Sequence, residues 1–183
     1  MTTIVALARG GHVWMGADEL TNVYERPVLG AVKILRHPAG TSEVLLGFTG
    51  FAGLVAETAT HLTITEPPQY AGEMLGWAHT IAAKVSRIAM GAHLTEDGQM
   101  AGRVLLGACG RLWTLTHMGA IAHLDGMGAL GSGEGPAIGA LDALTRYSAV
   151  DPAEAVTIAV QIGINRDRCS GGTPQVEHLP PCP

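Results

Sequence analysis

Charge is scarce in this chain. Only 15% of its 183 residues are Asp, Glu, Lys or Arg, against about a quarter in ordinary soluble domains. Aromatic residues contribute 4%, while apolar residues as a whole reach 47%. So little charge leaves part of the surface without polar cover, and the apolar excess must go into a membrane or into contacts between subunits. Long hydrophobic runs are lacking as well. The uncharged stretch from Val44 to Ala56 covers 13 residues and is broken by glycines, short of the roughly 18 that a membrane helix needs. Subunit contacts are therefore the expected destination. No basic segment precedes the short apolar run in MTTIVALARGG, so the start does not read as a signal peptide. Net charge is -5 with no basic cluster, which leaves no electrostatic footprint for nucleic acid. The three cysteines, Cys109, Cys169 and Cys182, are odd in number and lack metal or disulfide-framework spacing. That pattern points to a reducing, cytoplasmic setting.

What is present reads as one domain over residues 1–183, with 180–183 as a short tail. Thr3 to Ala8 and His12 to Gly16 form two apolar runs joined at Arg9-Gly10-Gly11, where paired glycines suit a tight hairpin. Ala31 to Leu35 and Glu43 to Phe48 read as a second pair around the turn-forming His37-Pro38-Ala39-Gly40. A helix is expected from about Ala52 to Leu62. A longer one follows Pro67-Pro68, because Met74, Ala78, Ile81, Val85 and Ile88 recur at helical spacing. Strands return at Arg103 to Ala108, Leu112 to Thr116 and Ala120 to His123. Two further helices are expected, Gly133 to Tyr147 and one opening at Asp151-Pro152-Ala153-Glu154, where a capping acid, a first-turn proline and a glutamate three residues on coincide. A last strand spans Thr173 to Leu179. Strand groups separated by pairs of helices, without strand–helix alternation, predict an α+β architecture of two packed antiparallel sheets with helices outside.

The chemistry starts at the N-terminus. A hydroxyl is a poor nucleophile at neutral pH, but a chain-terminal threonine carries a base of its own, an α-amine titrating near ~7.7–8.0. Removal of Met1 would give Thr2 both parts. The residues able to surround it sit in short motifs: TTIVAL at the start, GAD at Gly16 to Asp18, VKI at Val32 to Ile34, GFTG at Gly47 to Gly50, GSG at Gly131 to Gly133, and RDRCSGG at Arg166 to Gly172.

In order and spacing these motifs resemble the proteasome β-subunit family, particularly its propeptide-free bacterial members such as HslV and the bacterial proteasome homologues. The resemblance covers nearly the whole chain. It implies the four-layer αββα sandwich of the N-terminal-nucleophile (Ntn) hydrolases and a threonine-type peptidase that works through an acyl-enzyme. Thr2 is similar to the family's nucleophile, Lys33 to its active-site lysine and Asp18 to the carboxylate paired with that lysine. The N–H of Gly50 resembles the oxyanion donor, and Ser132, Asp167 and Ser170 resemble the group that orients the threonine amine. The resemblance further implies a homo-oligomer of stacked six- or seven-membered rings acting on peptides or unfolded proteins, with an ATP-dependent unfoldase as a possible partner. The proposed chemistry requires no metal or cofactor. A catalytically inactive ring subunit of the same fold is the rival reading, and intact Asp18, Lys33, Asp167 and Ser170 argue against it.

The segment Glu19-Leu20-Thr21-Asn22 departs from the family, and one residue fewer than expected separates Asp18 from Lys33. A gapless alignment from Asp18 puts Asn22 where relatives carry the Thr or Ser that helps bind substrate backbone. Pocket-lining positions are expected at Thr21, Ala31, Leu35, Phe48 and Ala52. They carry no charge, so an apolar side chain before the cut is expected. GMGALG, Gly126 to Gly131, matches a dinucleotide-binding pattern, with Asp151 about 20 residues on, but reads as a glycine-rich turn leading into Ser132, since Asp151 is a helix cap. The eight histidines are scattered, and Cys169 is expected to pack.

Overall fold

The computed structural model describes residues 2–23 and 26–182. Among these described residues, thirteen strands and four α-helices follow one another. First come β1 (Thr3–Arg9), β2 (His12–Ala17), β3 (Thr21–Val23), β4 (Arg26–Val28), β5 (Ile34–Ala39) and β6 (Ser42–Phe48). Next are α1 (Gly53–His61), a short 3₁₀ turn and α2 (Met74–Gly91), then β7 (Thr95–Glu96), β8 (Gln99–Met100), β9 (Val104–Ala108), β10 (Arg111–Thr116), β11 (Gly119–Ala122) and β12 (Met127–Gly131). α3 (Glu134–Tyr147), α4 (Pro152–Arg166) and β13 (Gln175–Leu179) complete the chain.

Two antiparallel sheets carry the fold, one in the order β12-β1-β2-β13 and the other β11-β10-β9-β6-β5. Strand alternation sorts their side chains into three apolar layers. Ile4 and Ala6 of β1 meet Met15, Leu45, Leu105 and Leu130 between the sheets. Val5 and Leu7 point the other way, onto Ala137, Leu141, Val156 and Val160 of α3 and α4. From β6, Val44, Leu46 and Phe48 pack on Leu54 of α1 and on Ala78, Ile81 and Val85 of α2. Strands buried on both faces read as continuous apolar runs, and the four layers are the αββα sandwich of an α+β Ntn-hydrolase fold.

Local chemistry explains the helices. Asp151 caps α4, its Oδ1 accepting the Ala153 N–H at 2.9 Å, with Pro152 in the first turn. α2 buries the periodic stripe Met74, Ala78, Ile81 and Val85 together with Trp77, whose ring meets Trp113 edge-on at 6.3 Å. Among the described residues no helix is long and apolar enough to cross a membrane.

Three expectations are corrected, and one element is added. β5 starts at Ile34, after the expected Ala31, and continues through Pro38 to Ala39, so the turn falls at Gly40-Thr41. β5 lies at a sheet edge, where a proline without an N–H is tolerated. Most of GMGALG is strand β12, paired antiparallel to β1, which removes the parallel βαβ setting that dinucleotide binding needs. The short β3–β4 hairpin was not anticipated. Finally, Cys109 in the β9–β10 turn is disulfide-bonded to Cys182 in the tail, Cα–Cα 5.0 Å. A separation of 73 residues makes no local motif; the antiparallel topology joins them by bringing the end of β13 beside that turn. The bond also removes the cysteine argument for a reducing compartment, leaving Cys169 as the free cysteine.

Candidate active site

Thr2 immediately precedes β1, an inner strand of its sheet, and is nearly buried, 4% exposed. Its amide nitrogen donates to Ser132 Oγ at 3.3 Å. Ser132 follows β12, which pairs with β1 so that Thr3 faces Gly131; the register itself puts the serine beside the threonine. Ser132 then donates its own proton to Asp167 Oδ2 at 2.6 Å, and Ser170 donates to the same oxygen at 2.7 Å. Asp167 ends α4, and its Oδ1 accepts the Cys169 N–H at 3.2 Å. Burial pushes the Asp167 carboxyl up, but the Ser132, Ser170 and Cys169 hydrogen bonds outweigh burial and hold it below its ordinary value.

Asp18 leaves the end of β2 and is fully buried. Four donors converge on it: Lys33 Nζ at 2.7 Å and Thr3 N at 2.9 Å on Oδ1, Leu20 N at 3.2 Å and Gly171 N at 3.0 Å on Oδ2. Lys33, 6% exposed, precedes β5 on the other sheet, so this ion pair joins the two sheets, and Lys33 lines the same pocket as Thr2. Burial pulls the Lys33 ammonium below its ordinary value, opposed by the hydrogen bond and charge of Asp18 and the charge of Asp167. A buried cation without its carboxylate would be strongly disfavoured.

Gly50 follows β6 with φ +94°. A Cβ there would lie 2.4 Å from the Ala101 carbonyl oxygen, so both the backbone angle and the contact require glycine. The loop is fixed from behind: Thr49 N donates to Arg103 O at 3.0 Å, and Arg103 N donates to Thr49 Oγ1 at 2.9 Å.

Thr2, Lys33 and Gly50 line one pocket together with the expected Thr21, Ala31, Phe48 and Ala52. Val32, Phe51 and Val55 line it too and were missed, although Val55 stands three residues after Ala52 on the expected helix, a spacing that shares a face. Two expected positions lie elsewhere. Asn22 is exposed on β3 while its neighbour Thr21 faces the pocket, as strand alternation demands. Leu35 packs against the α1–α2 layer and borders a separate depression with Arg36 and Leu62. Thr3, buried beside Ser170, was also missed and is taken up below.

Two antiparallel sheets packed face to face between two helix layers form the Ntn-hydrolase fold. Solved structures agree, and they are those of HslV and proteasome-like proteins. The chain is similar to BPH of Thiobacillus denitrificans in complex with epoxomicin, at 19% identity over 100% of both chains and a TM-score of 0.81. Eukaryotic HslV from Trypanosoma brucei matches at 19% identity, 97% of this chain and 99% of that one, TM-score 0.68. Anbu (ancestral beta-subunit) from Yersinia bercovieri matches at 15% identity over 98% and 82%, TM-score 0.74. At such identities the likeness is one of fold. No protein-family model and no curated protein matches the sequence.

Proposed function

We propose that this chain is a threonine peptidase whose nucleophile is Thr2, freed by removal of Met1, a residue that lies outside those described. The observation that carries the reading is the direction of the hydrogen bonds around Thr2. Ser132 has one proton and gives it to Asp167, so toward the Thr2 nitrogen it is an acceptor. A freed amine that donates to Ser132 can offer its lone pair to the threonine's own hydroxyl.

The reaction then runs in two halves. Thr2 Oγ1 attacks the scissile carbonyl carbon while its proton passes to the Thr2 amine, and the Gly50 N–H donates to the oxyanion that forms. The C–N bond breaks, the leaving amine takes the proton, and an ester joins Thr2 to the acyl half. Water attacks that ester while giving a proton to the same amine; the bond from the acyl carbon to Thr2 Oγ1 then breaks, the amine returns the proton to Oγ1, and the acid leaves. Lys33, held charged by Asp18, favours the neutral amine. A preorganised donor of the Gly50 kind is worth about 2.7–4 kcal/mol. Only protein groups and water take part.

The apolar lining by Ala31, Val32, Phe48, Phe51, Ala52 and Val55 favours apolar side chains before the cut. Stacked rings of six or seven copies, with sites facing an inner chamber, are part of the proposal and account for the shortage of surface charge. Peptides and unfolded chains are the substrates. The test combines intact mass, a fluorogenic peptide panel and epoxomicin, the compound bound in the T. denitrificans structure. A mass short by one methionine, best cleavage after apolar residues, and loss of turnover and epoxomicin adduct in Thr2→Ala are expected. Retained Met1 in active particles, or turnover surviving Thr2→Ala, would refute it.

A further inference from the structure

Thr3 is a buried hydroxyl within this network to which neither the reaction above nor the sequence gives a part. It is fully buried, and its Oγ1 lies 2.7 Å from Ser170 Oγ. Either oxygen could donate in that contact taken alone, but the neighbouring bonds decide. Ser170 carries a single proton, and that proton goes to Asp167 Oδ2. Thr3 is therefore the donor and Ser170 the acceptor. The outcome is a directed chain on each side of one carboxylate: Thr3 O–H to Ser170, Ser170 O–H to Asp167, and from the opposite side Thr2 N–H to Ser132, Ser132 O–H to Asp167.

The surroundings reserve space for this hydroxyl. A Cβ on Gly133 would lie 1.9 Å from Thr3 Oγ1, and one on Gly163 would lie 2.9 Å from the same atom. Gly133 precedes α3, and Gly163 lies in α4, whose carbonyl holds the Asp167 N–H at 2.9 Å. Thr3 thus stands where β1, α3 and α4 meet, with its hydroxyl aimed at the loop that places Asp167.

We infer that Thr3 is a positioning residue for the peptidase reaction: its hydroxyl orients Ser170, and through Ser170 and Asp167 it fixes the Ser132 acceptor that holds the Thr2 amine. The inference rests on the Thr2 reading above. Hydrogen bonds in series reinforce one another, since an oxygen that accepts a bond becomes a better donor. Removing the first donor loosens Ser170, leaves a buried acceptor unmatched and lets the carboxylate turn. Substrate touches none of these atoms, so the loss falls on kcat with KM unchanged.

Thr3→Val, which keeps the shape and removes the donor, is expected to lower kcat roughly 3- to 10-fold, the worth of one net hydrogen bond. The rate of epoxomicin attachment to Thr2 should fall by the same factor. Thr3→Ser restores the donor and should recover most of both rates. In a Ser170→Ala background, Thr3→Val should cost nothing further, because its acceptor is already gone. Thr3→Val with unchanged kcat and labelling, whatever its stability, would overturn the inference. So would Thr3→Ser as slow as Thr3→Val, or a full additional loss on top of Ser170→Ala. If Thr3→Val does not fold, Thr3→Ser and Ser170→Ala alone still decide. Thr3→Ser must then stay well above Ser170→Ala, and equal rates overturn the inference. Intact mass of every variant verifies Met1 removal. Turnover surviving in Thr2→Ala marks failure of the Thr2 reading itself, and a Thr3 effect absent while Thr2→Ala is dead marks failure of this step alone.

Discussion

Asp18→Asn should cost the protein about 3–5 kcal/mol of stability as well as its activity. The substitution keeps the shape of the side chain and removes the charge that Lys33, 6% exposed, meets at 2.7 Å. Removing one member of a buried pair leaves the other charged or forces it neutral, at a cost of roughly 3–5 kcal/mol. The amide also has one acceptor oxygen where the carboxylate had two. Either Thr3 N and Lys33 Nζ, or Leu20 N and Gly171 N, must then face an NH₂ group. An orphaned buried donor costs about 1–3 kcal/mol, which overlaps with the first cost and is not simply added to it. Urea unfolding at fixed protein concentration, followed by the fluorescence of Trp14, Trp77 and Trp113, reads the change in both helix layers. With a slope of about 2 kcal/mol/M the midpoint should fall by roughly 2 M. Adding Lys33→Met should recover a large part of that stability, because a buried pair replaced by apolar groups is often neutral, while turnover stays lost. A loss below about 1 kcal/mol in Asp18→Asn, or no recovery in the double variant, would refute the view of this pair as a buried tie between the sheets.

Three further outcomes are expected. Closing a loop of 73 residues by disulfide is worth about 4 kcal/mol in the chain-entropy account. Reduction, or Cys182→Ser, should therefore lower the melting temperature by roughly 10 °C in a thermal scan, with peptide turnover unchanged because Cys109 lies at the far end of β9 from the site. Asp167 has a folded-state pKa below its ordinary 3.8; its contribution to stability is complete above that value and is lost as the pH falls through the folded value beneath it. Asp167→Asn should thus flatten the acid limb of a stability–pH profile below pH 3.8, and an unchanged limb would contradict the hydrogen-bonded carboxylate. Gly50→Ala places a methyl 2.4 Å from Ala101 O at φ +94°, so turnover should drop by at least roughly 10²-fold, the loss typical of a displaced oxyanion donor, while circular dichroism stays native.

Elements with a local signature were legible in the sequence. α2 and α4 follow from the Met74–Val85 stripe and the Asp151-Pro152 cap, and the buried strands follow from apolar runs such as Val44 to Phe48. Thr2, Asp18, Lys33, Gly50, Ser132, Asp167 and Ser170 were named through motifs, and hydrogen bonds or a shared pocket connect them. What stayed hidden was non-local or lay in weak local signals. β12 is strand because it completes β1, against the turn tendency of its glycines. Cys109 and Cys182 meet through topology. Asn22 and Leu35 were misplaced because the side a residue faces is set by register, and register is fixed only once partner strands are in place. Thr3 escaped notice for a simpler reason: beside a candidate nucleophile, a second threonine in a strand looks like ordinary β-former chemistry.

The Lys33–Asp18 contact spans a seam between two unlike halves. Thr2, Ser132, Asp167 and Ser170 hang from the β12-β1-β2-β13 sheet and α4, whereas Lys33, Gly50 and the pocket residues Phe48, Phe51, Ala52 and Val55 belong to the opposite sheet and the start of α1. In the proposed peptidase, selectivity is thus open to redesign through pocket side chains of one sheet, with Lys33 and Gly50 beside them kept and the Thr2 network across the seam left alone. Exchanging Phe51 or Val55 for larger or charged groups is the natural place to begin retuning which peptides are cut.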